Sequence, residues 1–221
     1  MCLIMPKHVE FTTSDNIKIV GDLYPGANQK FAILLHMRPS TKEGWKVFAT
    51  KLVEKGMTVL AIDQRGHGES TMDGALNYEN FTEEQSRAKI LDVEAAFEYL
   101  KTMGATEEST VVIGGSIGAN LAIQFLQMHS AMKKAVALSP GLNFCGITTE
   151  DKVAKLQDRQ KVLVVVSDDD QYTDHNVAEK LKAIKPECVE TLLLHGLGHA
   201  EKMFDVDPSL MDRIIVWVSI N

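Results

Sequence analysis

Cysteine is scarce in this chain: Cys2, Cys145 and Cys188 are the three in 221 residues. An odd number at such wide spacing draws neither a disulfide framework nor a C-x-x-C zinc or redox pair, so a reducing cytoplasm is the expected location. Basic clusters are missing as well. With 23 Lys+Arg against 30 Asp+Glu and a net charge of −7, no run of cations is long enough to track a phosphate backbone, which argues against nucleic acid as a partner. Long apolar runs are absent too. The stretch Ile214 to Val218 is far too short to cross a bilayer, and Met1-Cys-Leu-Ile-Met-Pro6 lacks the basic start of a secretory signal. No stable membrane association is expected.

What is present is ordinary for a globular chain: 45% hydrophobic and 24% charged residues, with no internal repeat. The length suits a single domain over residues 1–221 with a sizeable core, and leaves homo-oligomerisation open. Short β-branched runs alternate with stretches of helical period, the signature of an α/β fold: a mostly parallel sheet with helices on both faces. Val9 to Thr13 and Ile17 to Leu23 read as a hairpin around Ser14-Asp15-Asn16. Six continuous apolar runs follow, at 31–35, 58–62, 110–113, 134–138, 162–166 and 190–194, as expected for strands buried on both faces. That makes eight strands. Helical spacing is expected over Trp45 to Lys55, Thr82 to Met103, Asn120 to His129, Asp174 to Ile184 and Ser209 to Val218.

Such sheets place ligands beyond the carboxyl ends of their strands, which focuses attention on a few loops. After the run ending at Ile113 comes Gly114-Gly115-Ser116-Ile117-Gly118, followed at once by a helical pattern. This is G-x-S-x-G in a strand-turn-helix setting, where a sharp turn would present the serine and the glycines would let backbone approach closely. A glycine-rich turn with a capping serine would give the same letters. A serine nucleophile needs a base held by a third group. Later strand ends offer both: Ser167-Asp168-Asp169-Asp170 and His195-Gly196-Leu197-Gly198-His199. Loops carrying Met37, Leu142, Phe144, Tyr172, Leu197 and Met203 should converge near Ser116, with Met37, Leu142, Tyr172 and Leu197 the candidate substrate contacts; local core packing would explain such residues as well.

These motifs, in this order, resemble the α/β-hydrolase family. Leu34-Leu35-His36-Met37-Arg38 is similar to its His-Gly oxyanion loop, with Met37 where glycine is usual, and Asp63-Gln-Arg65-Gly66-His67-Gly68-Glu-Ser70 to its Asp-x-x-Gly-x-Gly-x-Ser loop. The resemblance implies Ser116 as nucleophile, His199 as general base and then acid, and Asp170 as the group orienting the imidazole, because family acids usually lie three residues past a Gly or Ser ending the strand. Asp168 and Asp169 are rivals. It also implies oxyanion donors at the backbone amides of Ile117 and Arg38. Aspartate or cysteine in place of Ser116 would point to dehalogenase or dienelactone-type chemistry instead.

No cofactor is implied, and no metal, although His175 lies near the aspartate run. His36, His67 and His195 are expected to be structural, and His8, His129 and His175 to lie on the surface. Only Gly141 to Lys161 is available for a lid, enough for a loop and one short helix, so the expectation is no separate cap domain and an open site edged by Met72 to Phe81. The implied function is a serine esterase acting on small carboxylic esters through an acyl-enzyme. Thioester, lysophospholipid or monoglyceride, and peptide hydrolysis are alternatives on the same residues, as is a catalytically idle scaffold that binds a ligand or partner.

Overall fold

A computed structural model describes residues 4–219, so Cys2 lies outside the described residues. The chain opens with the hairpin β1 (Lys7–Thr12) and β2 (Lys18–Tyr24), then runs β3 (Phe31–Leu35), α1 (Lys46–Glu54), β4 (Thr58–Ile62), α2 (Glu83–Arg87), α3 (Ile90–Lys101) and β5 (Thr110–Gly115). It continues with α4 (Ile117–Met128), β6 (Lys134–Leu138), β7 (Asn143–Phe144), β8 (Ile147–Thr148), α5 (Glu150–Val153), β9 (Lys161–Ser167), α6 (Val177–Ile184), β10 (Val189–Leu194), α7 (Met203–Val206) and α8 (Ser209–Ser219).

Eight strands form one sheet in the order β1-β2-β4-β3-β5-β6-β9-β10. β2 is antiparallel to both neighbours and the remaining pairs are parallel. Side chains alternate across the pleat, which splits each central strand between two cores. Phe31, Ile33 and Leu35 of β3 and Val162, Val164 and Val166 of β9 pack under α3, α4 and α6. Ala32, Leu34, Leu163 and Val165 face the other way, against α1 and α8. Each fully buried Val, Leu or Ile contributes about 1.5–3 kcal/mol, so strands apolar on both faces anchor the fold. The edge strand β10 departs from the expectation of two buried faces: Glu190 and Leu193 are exposed there.

The expected helix over Thr82 to Met103 is broken in two. Thr82 and Gln85 form a capping box on α2, but at Ala88 and Lys89 the bonding tightens to i→i+3, with Lys89 N donating to Ser86 O and Asp92 N to Lys89 O. The break carries Lys89 and Asp92 inward, where Asp92 accepts from Arg65 Nε at 2.7 Å and from its amide at 2.8 Å. Between β6 and β9 the sequence suggested a loop and one short helix. The short helix is α5, and the loop before it is closed into the β7–β8 hairpin. Cys145 and Gly146 at its tip both have positive φ, +52° and +83°, as a two-residue turn of this hand requires. Nothing in this segment amounts to a cap domain.

Candidate active site

The chain leaves β3 for β4 on one side and returns through β5 on the other, so the crevice between the β3 and β5 ends is the topological switch point where such sheets bind ligands. Register puts Leu35 opposite Gly114, which brings His36-Met37-Arg38 and Ser116 to the same edge. Ser116 has φ 55° and ψ −118°, outside the usual regions for an L-residue. Its turn is tight enough that a Cβ on Gly114 would overlap the Gly118 carbonyl, and one on Gly118 the Leu35 carbonyl. α4 therefore begins at Ile117, three residues earlier than the apolar period suggested.

Ser167 pairs with Leu194, so the loops after β9 and β10 also rise side by side. His199 Nδ1 lies 2.9 Å from Asp170 Oδ1 and 2.8 Å from Oδ2. The Asp170 side chain is fully buried and His199 is 9% exposed. Burial pushes the Asp170 carboxyl up, but hydrogen bonds from His199, Ser139 and the Tyr172 amide outweigh it and hold the group below its ordinary value, hence ionised. The three aspartates divide the loop between them. Asp168 holds His195 Nδ1 at 2.7 Å and the Gly196 amide at 3.1 Å, Asp169 takes the Gly198 amide at 3.0 Å, and Asp170 alone meets His199.

Ser116 and His199 line one pocket of about 450 Å³ with Met37, Arg38, Pro39, Tyr78, Glu79, Ile117, Phe144, Cys145, Tyr172 and Lys202. Two expected substrate contacts, Met37 and Tyr172, are on that wall; the Tyr172 ring sits 5.0 Å from that of His199. Leu142 and Leu197 are not. Leu142 packs against the α4 side of the core, while Leu197 lines an adjoining depression with Asp169 and Tyr172. Met203 is buried in the opposite core. The β7–β8 hairpin brings Phe144, one of the residues expected near Ser116, to that wall together with Cys145. It is tied to α4 by Asn120, whose Nδ2 donates to Ile147 O at 2.7 Å and whose Oδ1 accepts from the Gly141 amide at 3.0 Å.

Among the described residues, the amides of Arg38 and Ile117 donate to no other protein group. Ile117 is the first residue of α4, where helix amides have no partner within the helix and the dipole favours negative charge. The Met37 amide is occupied: it donates to Glu201 Oε1 at 2.9 Å. Glu201 was not singled out from the sequence, where a charged residue beside a Lys reads as surface.

The remaining histidines sort by burial. His36 is fully buried; its Nε2 accepts from the Gln64 amide at 3.1 Å, and burial pushes its pKa down to about 3. His195 and His175 are exposed, as is His8. His129 corrects the surface reading: it is half-buried, with Nε2 3.0 Å from Glu94 and Nδ1 3.1 Å from Glu107. Among the described residues no group of three His, Cys, Asp or Glu side chains is placed to hold a metal, and no helix is long and apolar enough to cross a membrane.

The fold recurs in solved structures. The esterase Pf2001 of Pyrococcus furiosus aligns at a TM-score of 0.79 and 21% identity over 97% of this chain and 90% of its own. Est1E of Butyrivibrio proteoclasticus, solved with ferulic acid bound, aligns at 0.77 and 18% over 95% and 97%. The thioesterase domain of the curacin biosynthetic pathway aligns at 0.73 and 12% over 95% and 99%. At these identities the likeness is one of fold. No curated protein matches the sequence. The profile of the family described as serine aminopeptidase, S33, matches residues 28–158, more than half of the chain and the stretch from before β3 to the end of the hairpin segment. With that match, the eight-stranded sheet and the strained serine turn at its switch point, the chain belongs to the S33 serine aminopeptidase family of α/β hydrolases.

Proposed function

We propose that this protein is a serine esterase that cleaves small carboxylic esters through an acyl-enzyme on Ser116. The observation that carries the reading is the His199 imidazole bonded through Nδ1 to a buried, ionised Asp170 in the pocket that Ser116 lines. With Nδ1–H donated to the carboxylate, Nε2 is left as the basic nitrogen. Ser116 Oγ attacks the ester carbonyl carbon as its proton passes to His199 Nε2. The carbonyl oxygen, now an oxyanion, accepts from the amides of Ile117 and Arg38. Collapse expels the alcohol, which takes the proton from His199. Water then attacks the acyl-enzyme, giving its proton to His199, and the acid leaves as Ser116 recovers a proton. Loss of one oxyanion donor typically costs about a hundredfold to a thousandfold in rate.

Esterases among the structural relatives, and the strained serine turn, support this reading over an idle binding scaffold. The free thiols of Cys145 and Cys188 favour a reducing cytoplasm. Tyr78, Phe144 and Tyr172 give part of the pocket wall an aromatic face, and no cap domain extends it. Each acyl methylene that finds cover there contributes up to about 0.8 kcal/mol, and those beyond it stay in water. On p-nitrophenyl esters, kcat/KM is therefore expected to peak at acyl chains of about two to six carbons. The same panel with matched thioesters and aminoacyl anilides decides the substrate class. A rate that climbs steadily to long chains, or that is higher on the thioesters or anilides, would contradict the small-ester reading.

A further inference from the structure

Glu201, two residues beyond His199, is only 6% exposed, and none of the steps above uses it. Its Oε1 accepts the Met37 amide at 2.9 Å, and its Oε2 is buried with no hydrogen-bond partner. The same oxygen presses on the nucleophile strand, because a Cβ on Gly115, the residue before Ser116, would overlap it. One carboxyl thus touches the loop after β3, the end of β5 and, through its own backbone, the segment that carries His199.

We propose that Glu201 is a positioning residue that fixes the oxyanion loop by gripping the Met37 amide. This rests on the esterase reading above. The next peptide explains how the grip reaches the reacting atoms. The Met37 carbonyl accepts from the Ser40 amide at 2.9 Å and from His36 Nδ1 at 2.8 Å. In a trans peptide the N–H points opposite to the C=O, so the Arg38 amide is turned away from Ser40. Glu201 and Ser40 line the same depression on that side of the loop. The Met37 amide and the Met37 carbonyl are therefore both committed to the Ser40 side, and the Arg38 amide is left facing the other way, on the residue that lines the pocket.

The energetics separate positioning from packing. Burial raises the Glu201 carboxyl above its ordinary value, against the Met37 amide, the Ser40 hydroxyl and the nearby His199, which all favour the charged form. A buried polar atom without a partner is destabilising. Methionine would fill the same space without that cost but could not accept the Met37 N–H. Glutamine would keep an accepting oxygen.

The test measures kcat, KM and Tm on p-nitrophenyl butyrate, together with amide hydrogen exchange across residues 34–41, for the full chain and its Glu201→Gln and Glu201→Met variants. The expected result is wild-type kcat and exchange in Glu201→Gln. In Glu201→Met, kcat should fall by about tenfold to a hundredfold, with KM unchanged, Tm unchanged or raised, and faster exchange at Met37. Equal exchange in all three proteins, or wild-type kcat in Glu201→Met, overturns the proposal. So does equal loss in both variants with lowered Tm, the mark of a merely structural residue. Exchange needs no substrate, so an inactive wild type would overturn the esterase reading while the exchange arm still decides whether Glu201 holds the loop.

Discussion

His67 and His199 both stand beyond the carboxyl end of the same sheet, in loops that follow β4 and β10, yet their surroundings are opposite. His67 is sealed: Nε2 is buried without a partner, the ring stacks on Tyr78 at 3.9 Å, and the Lys89 ammonium lies 3.4 Å from Nδ1. Burial, with Lys89 adding to it, pushes its pKa down to about 2, so the ring stays neutral. Burial likewise lowers Lys89, and it raises Asp92 against the opposing pull of Arg65. His199 instead faces a pocket and has an ionised carboxylate behind it. Large displacements thus mark a closed polar core, while the group fitted for proton transfer has both an acid partner and an opening to the pocket. A strongly perturbed group is a pointer to function only where substrate can reach it.

That contrast can be broken by substitution, and the largest effect is expected at the acid. Asp170→Asn should lower kcat by about four orders of magnitude, because the imidazole loses the partner that fixes its tautomer. Asp168→Asn and Asp169→Asn, which remove contacts to Gly196 and Gly198 rather than to His199, should leave most of the activity. A collapse at Asp168 with activity retained at Asp170 would reassign the role. In the sealed cluster the outcome should be reversed. Asp92→Asn leaves the buried Arg65 charge half-paired and should destabilise by about 3 kcal/mol, lowering Tm by roughly 6–12 °C, while kcat of the folded enzyme holds. If kcat fell as well, the Tyr78 stack would be transmitting the change to the pocket wall.

The smallest effect concerns His129, far from the pocket. Burial lowers its pKa, but Glu94 and Glu107 outweigh it and hold it above the ordinary value. A base whose folded value is raised stabilises fully below its unfolded value of about 6.5 and loses that contribution as pH rises through the folded one. The Tm gap between wild type and His129→Gln should therefore be widest at mildly acidic pH and shrink as the solution turns alkaline. A gap that widened with pH would show that the pair is misread.

The parts of this architecture that sequence made legible were those with a repeating signal. Runs such as Val162 to Val166 cannot sit at a surface, and G-x-S-x-G between a strand and a helix places Ser116 with little help. Other features turn on a single contact. Asp170 could be preferred over Asp168 and Asp169 only through the family's offset from the strand-ending serine, because nothing in three adjacent identical residues says which one meets His199. Leu142 and Leu197 were expected at the pocket because their loops lead there, but their side chains turn into packing. The β7–β8 hairpin, which brings Phe144 and Cys145 to the wall, has strands of two residues, too short for alternation to register. Glu201, Lys89 and Asp92 carry no signal in the sequence, because burial of a charge is decided by distant partners, here Met37, His67 and Arg65.

The central claim, that Ser116 is an activated nucleophile, is tested most directly by reaction with a fluorophosphonate followed by peptide mapping. Only a serine with a working base attacks phosphorus readily. The account predicts one phosphonyl group, on Ser116, lost in Ser116→Ala and strongly slowed in Asp170→Asn. An unlabelled wild-type protein, or a label recovered on another serine, would contradict it.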